Sequence, residues 1–278
     1  MTEEVNTPQI DYSRTGQYTL TVRLTTEEFF YSIYNPTNEK AYSFLSKATN
    51  ENLSMAANVK DALKENEFLK HSYKRVNVLV VTRRFTLIPF ELFEDEQAET
   101  ILYHNHPRQD NEVVLYNILK KANVVVVFAI DKSVYQQMKE QFPDASFYCH
   151  ASTLAEYYSG LSKQGNNLKM YACLREKSVD VLCYERGRLL LINNFKCSAT
   201  SDIIYYLLYV WKELDFNQER DELHLSGNFA DKEGVVNGLK RFVRQLFVIK
   251  PDSVFSSDGN VKTEKIPFDL QALSLCDL

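Results

Sequence analysis

The chain repeats one order of predicted secondary structure, and this repetition limits its possible folds more than any other feature. The first copy opens with three apolar stretches rich in β-branched and aromatic residues, which predict strands at 19–24, 28–34 and 40–45. A helix is predicted over 53–70. The continuous apolar run at 76–82 is typical of a buried parallel strand.

The second copy begins near residue 169 and follows the same order. Its predicted elements are three strands, a helix and a further strand, at 169–174, 179–184, 189–195, 203–214 and 222–227. Little residue identity survives between the copies, so the repeat is one of architecture. Because a sheet of this kind is covered by its helices, the pattern predicts an α/β fold of two similar lobes with a cleft between them.

The segment between the copies carries additional elements. Strands are predicted at 112–119, 123–131 and 145–150, and helices at 91–105, 132–142 and 152–161. The stretch SKQGNN, at 162–167, resembles a linker and predicts one lobe over 1–164 and another over 165–278. A last helix is predicted over 231–247, and little structure is expected for the tail at 251–278.

Composition excludes several classes of function. The net charge of −5 gives no basic signature for nucleic acid. The strongest apolar run, at 203–211, is too short to span a membrane, and the acidic N-terminus lacks the pattern of a signal peptide. The five cysteines include no C-x-x-C pair, which indicates free thiols in a reducing compartment and predicts a cytoplasmic protein.

Three strands, a helix, a strand and a helix, repeated with an insertion in the first copy, resemble the actin-like ATPase superfamily, whose lobes are ribonuclease H-like units. Over about residues 18–250 the chain more narrowly resembles an uncharacterised bacterial family of unknown function within that superfamily, known mainly from Bacteroidetes. The resemblance implies an internally duplicated fold. In active members, ATP and Mg²⁺ bind between the lobes.

The resemblance also identifies two turns that bind phosphate in active members, where an Asp, a Gly and a Thr or Ser follow the first strand of each lobe. The first turn here reads RLTTEEF and offers the hydroxyls of Thr25 and Thr26. The second reads CLREKSVDV and offers Arg175, Glu176, Lys177 and Ser178. Neither turn has the Gly that lets backbone approach phosphate or the Asp that holds Mg²⁺. A degenerate nucleotide site is therefore expected, with no resident cofactor.

A third motif of the superfamily ends a strand in a Gly-Gly pair that contacts adenosine. Ser226 and Gly227 stand at the matching position. A strand-to-helix turn that simply requires Gly227 explains the same residues. If a nucleotide does bind, its expected contacts are Thr25, Thr26, Lys177, Ser226 and Gly227.

Other candidate chemistry is weaker. His104 and His106 could face one side of an extended loop as metal ligands do, but no third ligand has a suitable spacing, and a solvated loop is the simpler interpretation. Nuclease activity needs a carboxylate on the first strand of a lobe, and neither 19–24 nor 169–174 has one. The basic groups at 81–85 and 240–244 are interrupted and are typical of solvated faces.

Two hypotheses follow. The first is a non-catalytic module that binds another protein through a degenerate actin-like scaffold, with no catalytic residues. The alternative is a divergent nucleotide-binding protein or phosphotransferase that uses the cleft between the lobes.

Overall fold

The structure is a computed structural model, which describes residues 3–4, 10–35, 41–227, 230–249, 266–276 and 278. These residues form two compact units. The first holds the described residues up to Ile118 together with Val124–His150, and the second holds Leu119–Asn123 and the described residues from Ala151 onward. The second unit therefore begins before the linker-like stretch at 162–167.

Fourteen strands are described. In chain order they are β1 (Glu3–Glu4), β2 (Thr19–Leu24), β3 (Glu28–Asn35), β4 (Ala41–Ala48), β5 (Arg75–Val80), β6 (Phe85–Pro89), β7 (Glu112–Leu119), β8 (Val124–Asp131), β9 (Ser146–Cys149), β10 (Leu168–Arg175), β11 (Ser178–Glu185), β12 (Arg188–Lys196), β13 (Glu222–Gly227) and β14 (Gln245–Val248). The described α-helices are α1 (Met55–Glu65), α2 (Ala98–Asn105), α3 (Lys132–Gln141), α4 (His150–Ser162), α5 (Thr200–Glu213), α6 (Lys232–Leu239) and α7 (Phe268–Leu275).

The main sheet of the first unit has the order β1-β4-β3-β2-β5-β9. β2 and β3 are antiparallel, whereas β2, β5 and β9 run parallel. Alternate residues of β2, such as Val22 and Leu24, face an apolar interior that α1 and α3 close with Val59 and Met138. α1 begins where the Ser54 hydroxyl accepts a hydrogen bond from the Ala57 amide, 3.1 Å away.

The sheet of the second unit has the order β12-β11-β10-β13-β14, which is the order β4-β3-β2-β5-β9 over again. α5 and α6 cover one face of this sheet and share an apolar core with β10, β11 and β13. The other face carries α4, whose Tyr158 stacks on Tyr171 of β10 at 4.3 Å between ring centres. The predicted repeat of architecture is therefore confirmed.

The insertion of the first unit is a small sheet of its own, with the order β6-β8-β7. α2 packs on one face of this sheet through Leu102, which meets Val125 and Val127 of β8. The insertion follows β5 in the chain and leads through α3 to β9.

The predicted last helix, over 231–247, is wrong in its second half. α6 ends at Leu239, and residues 245–248 form β14, which pairs with β13 in parallel. The apolar spacing of four and three residues continues past Leu239 and imitates a helix, but pairing with β13 decides the structure. The tail prediction is also wrong for residues 268–275, which form α7. Residues 251–265 and 277 of that tail lie outside the described residues.

Two further predicted helices are shorter than expected. The helix predicted over 91–105 begins only at Ala98, after 3₁₀ turns at Phe90–Leu92 and Asp95–Gln97. The strand β6, which ends at Pro89, precedes them and was not predicted. The helix predicted over 53–70 ends at Glu65, and a 3₁₀ turn follows. The sequence NPTN at 35–38 predicts a turn, and all of it but Asn35 lies outside the described residues.

All five cysteines carry free thiols, and Cys276 alone of them is only partly buried. Within the described ranges, no helix is both long enough and apolar enough to cross a bilayer.

Candidate functional site

The turn after the first strand of the first unit is closed by a threonine side chain. The buried Thr25 hydroxyl accepts hydrogen bonds from the amides of Glu27 and Glu28, at 3.2 and 2.9 Å, and donates to the Glu28 carbonyl at 2.7 Å. A hydroxyl has one donor and two acceptor positions, so this one is saturated. The neighbouring Thr26 is exposed, and its carbonyl accepts from the Thr49 hydroxyl at 2.6 Å.

The corresponding turn of the second unit is a tight hairpin. Arg175 ends β10 and pairs with Ser178, the first residue of β11, so Glu176 and Lys177 alone form the connection. Both connecting residues are exposed. The Lys177 carbonyl accepts from the Cys197 amide at 3.0 Å, which ties the turn to the end of β12.

The pair at the end of β13 is packed against β10. Ser226 is buried, and its hydroxyl donates to the Ala172 carbonyl at 3.3 Å while it accepts from the Tyr158 hydroxyl at 2.6 Å. Gly227 has a φ of +88°, and a Cβ placed there would lie 2.1 Å from the Leu174 carbonyl oxygen. Because L side chains avoid this backbone region and no atom fits in that space, the position requires glycine.

The structure brings three of the predicted residues to one edge of a sheet. β10 and β13 are parallel, and Leu174 lies opposite Gly227, so both strands end at the same edge. Lys177, Ser226 and Gly227 therefore belong to this edge of the second unit. Thr25 and Thr26 lie at the corresponding edge of the first unit, where β2 ends beside β5.

A buried charged cluster, which the sequence predictions missed, lies beside the second turn. The Arg175 guanidinium forms an ion pair with Asp180 of β11, and its Nε is 4.0 Å from an oxygen of Asp269. The two carboxylates are each 1% exposed. Asn194 of β12 donates to Asp180 at 2.7 Å. Since Asp269 lies in α7, the last helix of the chain is anchored to the strand that ends in this turn.

α7 also joins a row of aromatic rings. Phe268 stacks on Tyr158, whose ring centre is 5.8 Å away, and Tyr158 in turn stacks on Tyr171. The row continues through His224 to Phe247, with 4.9 Å between each pair of ring centres. These contacts bind α4, α7 and three strands of the sheet together, and burial raises the pKa of the Tyr158 hydroxyl well above its ordinary value.

Polar side chains line the opposite end of the same strands. Glu222 accepts from Lys169 at 2.8 Å and lies 2.9 Å from Nε2 of His224. Burial by itself would raise the pKa of Glu222, but the hydrogen bonds from Lys169 and His224 outweigh it and lower that pKa. Burial lowers the pKa of His224 below its ordinary value, although the Glu222 carboxylate opposes this shift.

We expect His224→Phe to reduce the pH dependence of stability between about pH 7.5 and 5.5. The unfolded chain takes up a proton at His224 near the ordinary pKa of 6.5, before the folded chain does, so acidification through this range favours unfolding. Phenylalanine keeps a ring between Tyr171 and Phe247 but cannot titrate. Urea denaturation at a series of pH values gives the free energy of unfolding at each pH. If that free energy changed equally with pH in the variant and the unmodified protein, the prediction would be contradicted.

The remaining predicted groups have local roles. His104 is exposed at the end of α2, whereas Nε2 of His106 is 2.9 Å from the Phe85 carbonyl. Across the described part of the chain, no three His, Cys, Asp or Glu side chains gather as metal ligands do. Of the basic groups, Arg84 forms an ion pair with Glu112, and Arg244 forms one with Glu219 at 2.6 Å.

Comparison with known proteins supports the family and the fold. A model of the family "Protein of unknown function (DUF3822)" matches residues 7–246. A crystal structure from Bacteroides thetaiotaomicron, of a protein with an actin-like ATPase fold and unknown function, is 49% identical, with a TM-score of 0.86. The match covers 97% of this chain and 100% of that one. No curated protein matches.

A more distantly related solved structure has the same fold. The structure of the PilM–PilN type IV pilus biogenesis complex matches with 13% identity and a TM-score of 0.59, over 92% of this chain and 97% of that one. The family model covers most of the chain, and the Bacteroides protein is similar throughout its length. The chain therefore belongs to the family of proteins of unknown function DUF3822 and has the actin-like ATPase fold.

Proposed function

We propose that this protein is a non-catalytic interaction module, in which the actin-like scaffold binds another protein and no longer binds a nucleotide. The observation that carries the proposal is the pairing of Arg175 with Asp180 and Asp269. Arg175 is a half-buried cation that ends the strand leading into the second turn, and two buried carboxylates already neutralise it. A phosphate at this turn would have to compete with both.

The first turn supports the same conclusion. In active members of the superfamily, a hydroxyl and bare backbone at this turn contact phosphate. Here the Thr25 hydroxyl uses both acceptor positions and its proton in hydrogen bonds within the turn itself. A phosphate oxygen could bind Thr25 only if the turn between β2 and β3 opened.

The edge formed by Ser226 and Gly227 is also explained without a ligand. The Ser226 hydroxyl bonds to Tyr158 and Ala172, and Gly227 allows the end of β13 to approach Leu174. Both residues thereby join α4 and β13 to β10. The glycine that the superfamily resemblance assigns to adenosine binding therefore has a packing role here.

The fold is compatible with a protein partner. The PilM–PilN structure is by its description a complex, and it has the same fold as this chain. At 13% identity the likeness extends to the fold alone, so it supports the class of function and not the identity of a partner.

Nucleotide titration tests the proposal. We expect isothermal titration of the purified protein with Mg-ATP and Mg-ADP to give no binding heat up to about 1 mM ligand, because Thr25 and Arg175 are already engaged and neither turn has the Gly and Asp that hold phosphate and Mg²⁺ in active members. Thermal melting with the same ligands should show no shift. Micromolar binding of either nucleotide would overturn the proposal and favour the alternative of a divergent nucleotide-binding protein or phosphotransferase. The unmodified protein must be used, since Gly227→Val would disturb the sheet whether or not a nucleotide binds.

A further inference from the structure

The insertion of the first unit carries an exposed apolar surface. Phe90 and Leu92 lie on the 3₁₀ turn after β6, and Tyr116 and Ile118 lie on β7. These four residues, which we call the insertion surface, are four of the eleven large apolar side chains exposed among the described residues. Their concentration on one small sheet distinguishes this region from the isolated exposed side chains found on most proteins.

Local contacts hold the insertion surface in place. Phe93, the next residue after the turn, packs into the core of the insertion and meets the Tyr116 ring at 4.8 Å between ring centres. The Tyr116 hydroxyl donates to Asp95 at 2.8 Å. The turn and β7 are thereby joined through Phe93 and Asp95, which hold the two parts of the insertion surface in a fixed relation.

The direction of the β7 side chains is fixed from the other side of the strand. Asn117 is buried, and its amide group donates to the Phe147 carbonyl and accepts from the Cys149 amide, both at 2.9 Å. β9 is the last strand of its sheet, and the Asn117 side chain makes the backbone hydrogen bonds there that a further strand would make. Because side chains alternate along a strand, this anchoring directs Tyr116 and Ile118 outward. The exposed surface is prearranged, which lowers the entropic cost of binding.

Acidic residues flank the Phe90 and Leu92 end of the insertion surface, whereas Lys120 and Lys121 follow Ile118 at its other end. Between positions 90 and 99 the chain has five acidic residues and no basic one, and all five are exposed: Glu91, Glu94, Asp95, Glu96 and Glu99. The apolar side chains of Phe90 and Leu92 beside this run of negative charge fit a partner segment with apolar residues beside lysine or arginine. The same charge disfavours an anionic membrane. It also disfavours self-association, since each copy carries a net charge of −5.

We propose that the insertion surface binds a basic amphipathic segment of another protein. This inference rests on the proposed function, because it names the surface through which the interaction module acts. Phe90 and Leu92 would be the apolar anchors, and the acidic run at 91–99 would select a positively charged segment and accelerate its association.

Site-specific photocrosslinking in the native cell tests the surface. Leu92 is replaced by benzoylphenylalanine in the full-length protein, and the crosslinked peptides are sequenced by mass spectrometry. We expect peptides of one partner, with net positive charge and at least two large apolar residues. Tyr205 on α5 provides the matched control position, because it is 62% exposed and Leu92 is 66% exposed.

The crosslinked segment, made as a synthetic peptide, is then titrated against purified variants. Phe90→Ser with Leu92→Ser should weaken binding by at least about tenfold, and Tyr205→Ser with Tyr209→Ser should leave it unchanged. Binding should also weaken as salt is raised. Circular dichroism confirms that both variants are folded.

Each other outcome overturns the inference. A partner crosslinked at position 205 and not at 92 would reject this surface while leaving the proposed interaction module standing. Peptides of this chain itself would instead indicate a second copy, and acidic or uncharged peptides would reject the stated partner chemistry. If neither position crosslinks to protein and nucleotide titration shows binding, the surface and the proposed function both fail.

Discussion

Replacing Gly227 with alanine is expected to lower the free energy of unfolding by roughly 3 kcal/mol or more. The backbone there has a φ of +88°, which strains any L side chain, and the new Cβ would lie 2.1 Å from the Leu174 carbonyl oxygen. Either the end of β13 or the end of β10 must move, and movement separates the buried Ser226 hydroxyl from Tyr158. Urea denaturation followed by circular dichroism measures the loss.

Gly160 offers a matched control for this experiment. It lies in α4, and a Cβ added there meets no atom within 4 Å. Because alanine favours helix more than glycine does, Gly160→Ala should raise stability by up to about 1 kcal/mol. If both substitutions changed the free energy of unfolding by the same small amount, the steric explanation of Gly227 would be wrong. Contact with a ligand would then be the remaining explanation for a glycine at this position.

The strands of the repeat could be predicted because each is a short apolar run that its neighbours bury. The elements that sequence reasoning missed or misplaced depend on distant contacts. β14 has only four residues and continues an apolar spacing that imitates a helix, so only its pairing with β13 identifies it. α7 has eight residues and follows a Pro, and its apolar composition becomes meaningful only once it lies against Tyr158.

The candidate site was predictable only in part, for the same reason. The absence of Gly and Asp from both turns is visible in the sequence. The sequence also allowed a structural explanation of Gly227, as part of a turn that follows a strand. The pairing of Arg175 with Asp269 joins residues 94 positions apart and leaves no local pattern. One signal was present: Asp180 stands inside the apolar strand VDVLCY, and a buried carboxylate there requires a cationic partner.

The second large effect is expected from Arg175→Met, which should lower the free energy of unfolding by about 3–5 kcal/mol. The substitution keeps most of the side-chain volume but leaves Asp180 and Asp269 without their shared cation, and each carboxylate is only 1% exposed. Because Asp269 lies in α7, the last helix should loosen first. Hydrogen exchange of the Leu270–Leu273 amides should therefore accelerate more than that of β10.

Two further variants separate this charge effect from simple loss of an arginine. Arg188→Met removes an arginine that is 72% exposed and pairs with Glu185 on the surface, so its cost should be about 0–1 kcal/mol. Adding Asp180→Asn and Asp269→Asn to Arg175→Met removes the two buried negative charges that the arginine had neutralised. This should restore at least about half of the lost stability. Equal costs for Arg175→Met and Arg188→Met would mean that the cluster does not anchor α7. The second turn would then hold an uncommitted cation, and the main argument against phosphate binding there would be lost.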